Sequence, residues 1–179
     1  MRVLDLFAGL GGFSQAFRDR GHEIETLDND PQFNCTFTMD IKDFKPDCAY
    51  TVVLASPPCQ DFARMHLPWK RKLLPSGFKP DMSLVLEAKR IIDEVKPRYW
   101  VLENTMPSLK FITPILGHYV KRVGSRYLWG NFPTLDTRKN AYGKEKIWPR
   151  ANRPALRALI PYALSKSLCM AMEYDMEMV

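Results

Sequence analysis

The stretch V-L-D-L-F-A-G-L-G-G-F-S-Q-A-F, residues 3–17, changes character at its centre. Val3 to Phe7 is an apolar run interrupted only by Asp5, the pattern of a short strand covered on both faces. Gly9, Gly11 and Gly12 then supply a tight turn, because glycine reaches backbone conformations that side chains disfavour. Phe13, Ala16 and Phe17 recur at helical spacing, and Gly21 after Arg20 is a suitable stop. A strand, a glycine turn and a helix in that order predict the first unit of an α/β sheet.

The same alternation continues downstream. A strand is expected around Ile24 to Leu27, ending in Asp28-Asn29-Asp30-Pro31. Another runs from Tyr50 to Ala55 and stops at Ser56-Pro57-Pro58, since proline lacks the donor that a sheet ladder needs. A loop rich in basic and aromatic residues is expected from Gln60 to about Pro80. Val85, Ala88, Ile92 and Val95 mark the inner face of an amphipathic helix. Tyr99 to Leu102 reads as a fourth strand, ended by Glu103-Asn104, and Leu164, Leu168, Ala171 and Met172 mark a late helix within 161–172. The fold class is therefore α/β, doubly wound, with a mostly parallel sheet covered by helices on both faces.

The totals limit the function. A chain of 179 residues suits one domain, expected to span 1–179. No apolar run approaches the ~20 residues of a membrane helix, and the first residues lack a leader pattern, so a cytoplasmic protein with no membrane partner is expected. Cys35, Cys48, Cys59 and Cys169 are scattered without zinc-type spacing, so neither a metal site nor a disulfide framework is expected. The formal charge of +6 leans toward a polyanionic partner. Lys70-Arg71-Lys72 concentrates some of it, as a phosphate-binding run or an ordinary solvated face.

In open α/β sheets, ligands bind beyond the carboxyl ends of the strands. That rule gathers Phe7-Ala8-Gly9, Asp28, Ser56-Pro57-Pro58-Cys59 and Glu103-Asn104 onto one rim. The glycine turn followed by an acid after the second strand favours a nucleoside-type cofactor, against the alternative of a structural turn and a solvated acid. Cys59 is either a small core hydrophobe or a thiol aimed by two prolines. Glu103 is either a strand-end acid or a group that engages a ring nitrogen.

The ordered set D-L-F-A-G-L-G-G-F-S, the acid after the second strand, S-P-P-C-Q-D-F and E-N-T resembles the DNA cytosine-5 methyltransferases, from residue 5 to residue 105. The resemblance implies the Rossmann-like sheet of the class I S-adenosylmethionine-dependent enzymes. It implies S-adenosylmethionine as cofactor, with Phe7, Gly9 and Gly11 at its methionine end, Asp28 on the ribose and Asp40-Ile41 near the adenine. Cys59 would attack C6 of a cytosine while Glu103 engages N3 and the exocyclic amine. The cytosine would come from single-stranded DNA, or from a duplex by flipping out. Gln60 to Pro80 occupies the place of the family's mobile catalytic loop, so Gln60, Lys70, Arg71 and Lys72 would contact nucleic acid.

The chain also departs from the family pattern. Thr105 stands where valine usually follows E-N. In the later Q-x-R-x-R motif only Arg126 matches, with Gly124 in place of the first arginine. The motif that closes over the cofactor is represented by residues 160–167, including Ser165, without its customary asparagine. Residues 130–157 are too few for a target-recognition domain, so that basic segment, with Trp129-Gly130-Asn131-Phe132-Pro133, either meets nucleic acid or forms an aromatic corner. Sequence recognition would then be weak, short or supplied by a second subunit. Two alternatives stay open: a cytosine-5 methyltransferase acting on RNA or a free nucleotide, and a catalytically silent or partner-dependent subunit. Restriction-modification is one of several settings compatible with these residues.

Overall fold

The computed structural model describes residues 1–135 and 158–178. Seven strands form one sheet: β1 (Arg2–Leu6), β2 (Glu23–Asp28), β3 (Phe37–Thr38), β4 (Val52–Ala55), β5 (Tyr99–Thr105), β6 (Lys121–Val123) and β7 (Arg126–Asn131). Their order is β3-β2-β1-β4-β5-β7-β6, and only β7 runs against its neighbours. The helices are α1 (Gln15–Asp19), α2 (Gln60–His66), α3 (Pro68–Arg71), α4 (Ser83–Val95), α5 (Leu109–Leu116) and α6 (Tyr162–Glu177). None among the described residues is long and apolar enough to cross a membrane.

Side-chain alternation along the central strands builds two cores. Leu4, Leu6, Val53, Ala55, Leu102 and Trp129 pack with the inner face of α4 and with Phe62 and Ile112. Val3, Val52, Leu54, Val101 and Leu128 face the other way, onto Phe13 and Phe17 and the stripe Leu164, Leu168, Met172 of α6. Because both faces are covered, Val52-Val53-Leu54-Ala55 is uniformly apolar and fully buried. This is the doubly wound, mostly parallel sheet read from the sequence.

Several boundaries differ from the sequence reading. The helix after the glycine turn begins only at Gln15, although Phe13 is buried as expected. β5 continues through Glu103, Asn104 and Thr105 because antiparallel β7 supplies a ladder beyond the point where parallel β4 ends at Ala55, opposite Leu102. The expected loop after Gln60 contains α2 and α3. One buried side chain, Phe62, fixes α2 against Phe111, with ring centroids 5.6 Å apart, and a single anchor leaves no periodic stripe to read. Helix α5 carries Pro114, and the β6–β7 hairpin turns at Gly124-Ser125 with Gly124 at φ 61°; neither element was expected. The hairpin explains Gly124: a two-residue turn of this kind needs a left-handed residue. Trp129 is fully buried and its Nε1 donates to Gly117 O at 3.1 Å, so it belongs to the core. Residues 130–131 complete β7, Leu135 is buried, and 136–157 of the expected basic segment lie outside the described residues.

Asp5 is the exception inside the first strand. It is fully buried; Ser14 Oγ donates to its Oδ2 at 2.6 Å, while Oδ1 has no partner among the described residues. Burial pushes its carboxyl up to about 7, against the hydrogen bonds from Ser14. Between the ordinary 3.8 and about 7 the native chain therefore keeps a proton that the unfolded chain has released, so this group lowers stability as pH rises through that window. Urea denaturation of wild type and Asp5→Asn across pH 4 to 7 should show the variant gaining on wild type by up to about 1.4 kcal/mol per pH unit. Parallel curves would contradict the raised carboxyl.

Candidate active site

The carboxyl ends of β1, β2, β4 and β5 open onto one cavity of about 880 Å³. Its lining includes Phe7 and Gly9 after β1, Asp28 at the end of β2, Asp40 and Ile41, the turn from Ser56 to Gln60, Glu103 and Thr105 from β5, Arg126 from β7, and Ala158 to Ile160 ahead of α6.

One end is made by the glycine turn. Phe7, Gly9 and Gly11 all have positive φ, at 60°, 52° and 74°, so the chain folds back on itself within five residues. Gly11 N–H donates to Ala8 O at 2.7 Å, and Gly9 N–H donates to Asp28 Oδ2 at 2.9 Å. Asp28 Oδ1 accepts from Asp30 N–H at 3.1 Å. Asp28 thus braces the turn, and each of its oxygens keeps a lone pair for another donor. A Cβ added at Gly9 would meet nothing within 4 Å, whereas one at Gly12 would come within 2.5 Å of Leu159 Cδ1. The turn is open at Gly9 and sealed at Gly12.

The other end holds the reactive groups. Cys59 is half-buried at the entry to α2. Glu103 is only 5% exposed, and its Oε1 accepts from Arg126 Nη1 at 3.0 Å. Arg126 Nη2 donates to Leu159 O at 2.8 Å, so one guanidinium ties Glu103 to the segment before α6. Burial pushes the Glu103 carboxyl up, with Arg126 opposing. Burial also pushes the Cys59 thiol up, reinforced by the charge of Glu103; the Thr105 hydroxyl, the backbone N–H of Cys59 and Arg126 act the other way. A thiol and a carboxyl group facing one cavity can add, as thiolate, to an electron-poor ring and protonate it; the raised proton affinity of Glu103 suits the second task.

Asn104, Thr105 and Leu159 were not singled out as site residues by sequence reasoning. Buried Asn104 donates from Nδ2 to Pro57 O at 3.0 Å, which clamps β5 to the proline turn carrying Cys59. Its only signal in the sequence was its place in the E-N pair. Leu159 gave none, because it acts through its backbone oxygen and through contact with a glycine.

Two groups of expected residues lie elsewhere. Ser165 is buried away from the lining: its Oγ donates to Phe13 O at 2.6 Å and accepts from Ala16 N–H at 3.1 Å, joining α6 to the start of α1. Its hydroxyl is occupied by the fold and does not face the cavity. Gly11 shapes the turn without lining the cavity, and Lys70, Arg71 and Lys72 also lie outside the lining although Gln60 is part of it. Lys70 Nζ sits over the exposed ring of Trp69 at 5.1 Å.

Spacing in the sequence did not reveal that His22, Cys169 and Glu173 meet, with their ligand atoms within 4.8 Å of one another. Glu173 is held by Arg20 at 2.6 Å and by His22 at 2.9 Å, and burial pushes the Cys169 thiol up to about 12. The guanidinium disfavours a cation there, so the cluster reads as an ion-pair network.

The family model described as C-5 cytosine-specific DNA methylase matches residues 1–110, more than half of the chain. The Type II methyltransferase M.DdeI of Desulfomicrobium norvegicum is 29% identical over 134 residues, which cover 63% of this chain and 30% of that protein. The chain therefore aligns with less than a third of the length of this relative. Among solved structures, a prophage-encoded E. coli protein assigned as a DNA modification methyltransferase matches with a TM-score of 0.49 and 17% identity, covering 73% of this chain and 46% of that one. The glycopeptide N-methyltransferase MtfA complexed with (S)-adenosyl-L-methionine matches with a TM-score of 0.40 and 19% identity, covering 59% and 44%.

Ser165→Ala removes one hydroxyl and leaves the buried Ala16 N–H without its acceptor. The variant should unfold about 1–3 kcal/mol more easily in urea than wild type. A change within about 0.3 kcal/mol would show that the hydroxyl is dispensable to the fold.

Proposed function

We propose, from the premise that this chain belongs to the C-5 cytosine-specific DNA methylase family, that it methylates C5 of cytosine in DNA with S-adenosylmethionine as methyl donor. The observation that carries the reading is the shared cavity, with the braced glycine turn and Asp28 at one end and Cys59 with Glu103 at the other. The residues present suit that cofactor. The open space at Gly9 admits a group close to the backbone, Asp28 has lone pairs for ribose hydroxyls, and Asp40 and Ile41 flank the same end. When bound, the cofactor supplies an electrophilic methyl group.

Cys59 acts as the nucleophile. Having given its proton to solvent, the thiolate sulfur forms a bond to C6 of the ring, and the displaced π electrons move toward N3, which takes a proton from Glu103. The raised proton affinity of Glu103 suits that task, and the Arg126 contact keeps the carboxyl facing the ring. Nucleophilic character then develops at C5, which takes the methyl group. Loss of the C5 proton and departure of the Cys59 sulfur restore the aromatic ring. Because a thiol must approach a ring face, the base enters the cavity unstacked. In this reading Gln60, which lines the cavity, and the basic run Lys70-Arg71-Lys72, which lies outside it, contact the nucleic acid.

The chain works in the cytoplasm as one catalytic domain, and restriction-modification is a fitting setting given the Type II relative. In this reading DNA is the substrate, and a second subunit can supply sequence recognition.

Incubation with labelled cofactor and cytosine-containing duplex or single-stranded DNA should transfer label to the DNA, and Cys59→Ser should reduce transfer by about 1000-fold or more. A 5-fluorocytosine substrate should trap a covalent complex through Cys59, since fluorine at C5 cannot leave as the proton does. Equal transfer by the serine variant would exclude Cys59 as the nucleophile, and transfer to tRNA or nucleotides alone would move the substrate away from DNA.

A further inference from the structure

We propose that Thr105 is a positioning residue for the nucleophile: its hydroxyl donates to the Cys59 sulfur and holds it, as thiolate, at the Glu103 end of the cavity. The proposal deepens the reading above and rests on it for the role of Cys59.

Glu103 and Thr105 are two residues apart on β5, so their side chains leave the same face, and both line the cavity together with Cys59. The backbone of Thr105 is fixed twice. Its N–H donates to Asn104 Oδ1 at 2.8 Å, and its carbonyl accepts from Ser108 Oγ at 2.8 Å. The turn that carries Cys59 is fixed to the same place, because Asn104 Nδ2 holds Pro57 O at 3.0 Å. Hydroxyl and sulfur therefore sit on two segments clamped to each other by one buried amide.

The charged groups facing the sulfur are Glu103 and Arg126. Arg126 lies directly across the ladder from Thr105, but its guanidinium is engaged by Glu103 and Leu159 O. The groups that favour the thiolate are the Thr105 hydroxyl and the backbone N–H of Cys59, with Arg126. Burial and the neighbouring carboxylate both oppose the thiolate, so a donor is required at this point. A neutral hydroxyl meets that requirement without adding a charge beside Glu103. Valine has nearly the same shape and lacks the donor, which makes Thr105→Val a direct probe of the hydroxyl.

The test is the rate of Cys59 alkylation by iodoacetamide from pH 7 to 9.5 in the full chain without DNA, read by peptide mass spectrometry so that Cys35 and Cys48 do not interfere. Thr105→Val should displace the profile upward by about 0.5–1 pH unit and slow alkylation at pH 7.5 about 3- to 10-fold. Thr105→Ser should stay within about 2-fold of wild type, since it keeps the donor. A valine profile that superimposes on wild type would overturn the proposal. So would a serine variant shifted as far as valine while both melt with wild type. Alkylation needs no methyl transfer, so a chain that shifts as expected yet methylates no cytosine would sink the activity alone. An active enzyme with an unmoved valine profile would sink Thr105 alone.

Discussion

A carboxylate almost excluded from water needs a counter-charge, and the site is organised around meeting that need at Glu103. Leaving such a group without its partner costs about 3–5 kcal/mol. The partner, Arg126, is the first residue of β7, two positions across the ladder from Glu103. It can be there only because the chain reverses at Gly124-Ser125 and returns antiparallel to β5. The same pairing extends β5 past the end of β4 and carries Glu103, Asn104 and Thr105 out to the cavity. One electrostatic requirement thus links the antiparallel strand, the glycine hairpin and the extended β5.

The proton affinities follow from this burial. Glu103 and Cys59 are each raised chiefly by loss of water, and the negative charge of the one raises the other further. Arg126 opposes both shifts, so its position tunes the pair as well as neutralising it. Its second nitrogen holds Leu159 O, and the side chain of Leu159 presses on Gly12 of the glycine turn. The two ends of the cavity are therefore connected through a backbone carbonyl and one leucine.

The sequence showed the sheet, its alternation and most of the site, because these rest on local patterns. Val52 to Ala55 is uniformly apolar for a strand buried on both faces, and the glycines, Asp28, the proline-cysteine turn and Glu103 each stand next to a strand end. What was not legible depends on distant partners. Glu103 looked like a residue after a strand because its ladder partner, Leu128, lies 25 residues away and antiparallel. Ser165 looked like a cofactor ligand by position, yet α6 packs on α1 so that its hydroxyl closes a backbone gap between Phe13 and Ala16. Helix α5 was missed because Pro114 stands inside it, and α2 because a single phenylalanine anchors it.

A different kind of illegibility attaches to Asn104. As part of an E-N pair it is conspicuous, but its role is visible only when both amide ends are traced. Nδ2 holds the carbonyl of Pro57 and Oδ1 holds the N–H of Thr105. Two prolines restrict the backbone ahead of Cys59, but they cannot fix where that stiff turn lies relative to β5. A buried amide with a donor at one end and an acceptor at the other can do so, because displacing either segment would leave a polar group unpaired out of water. The stiffness of the proline turn and the clamp at Asn104 are therefore complementary: the first aims the thiol within its own segment, and the second fixes that aim against Glu103.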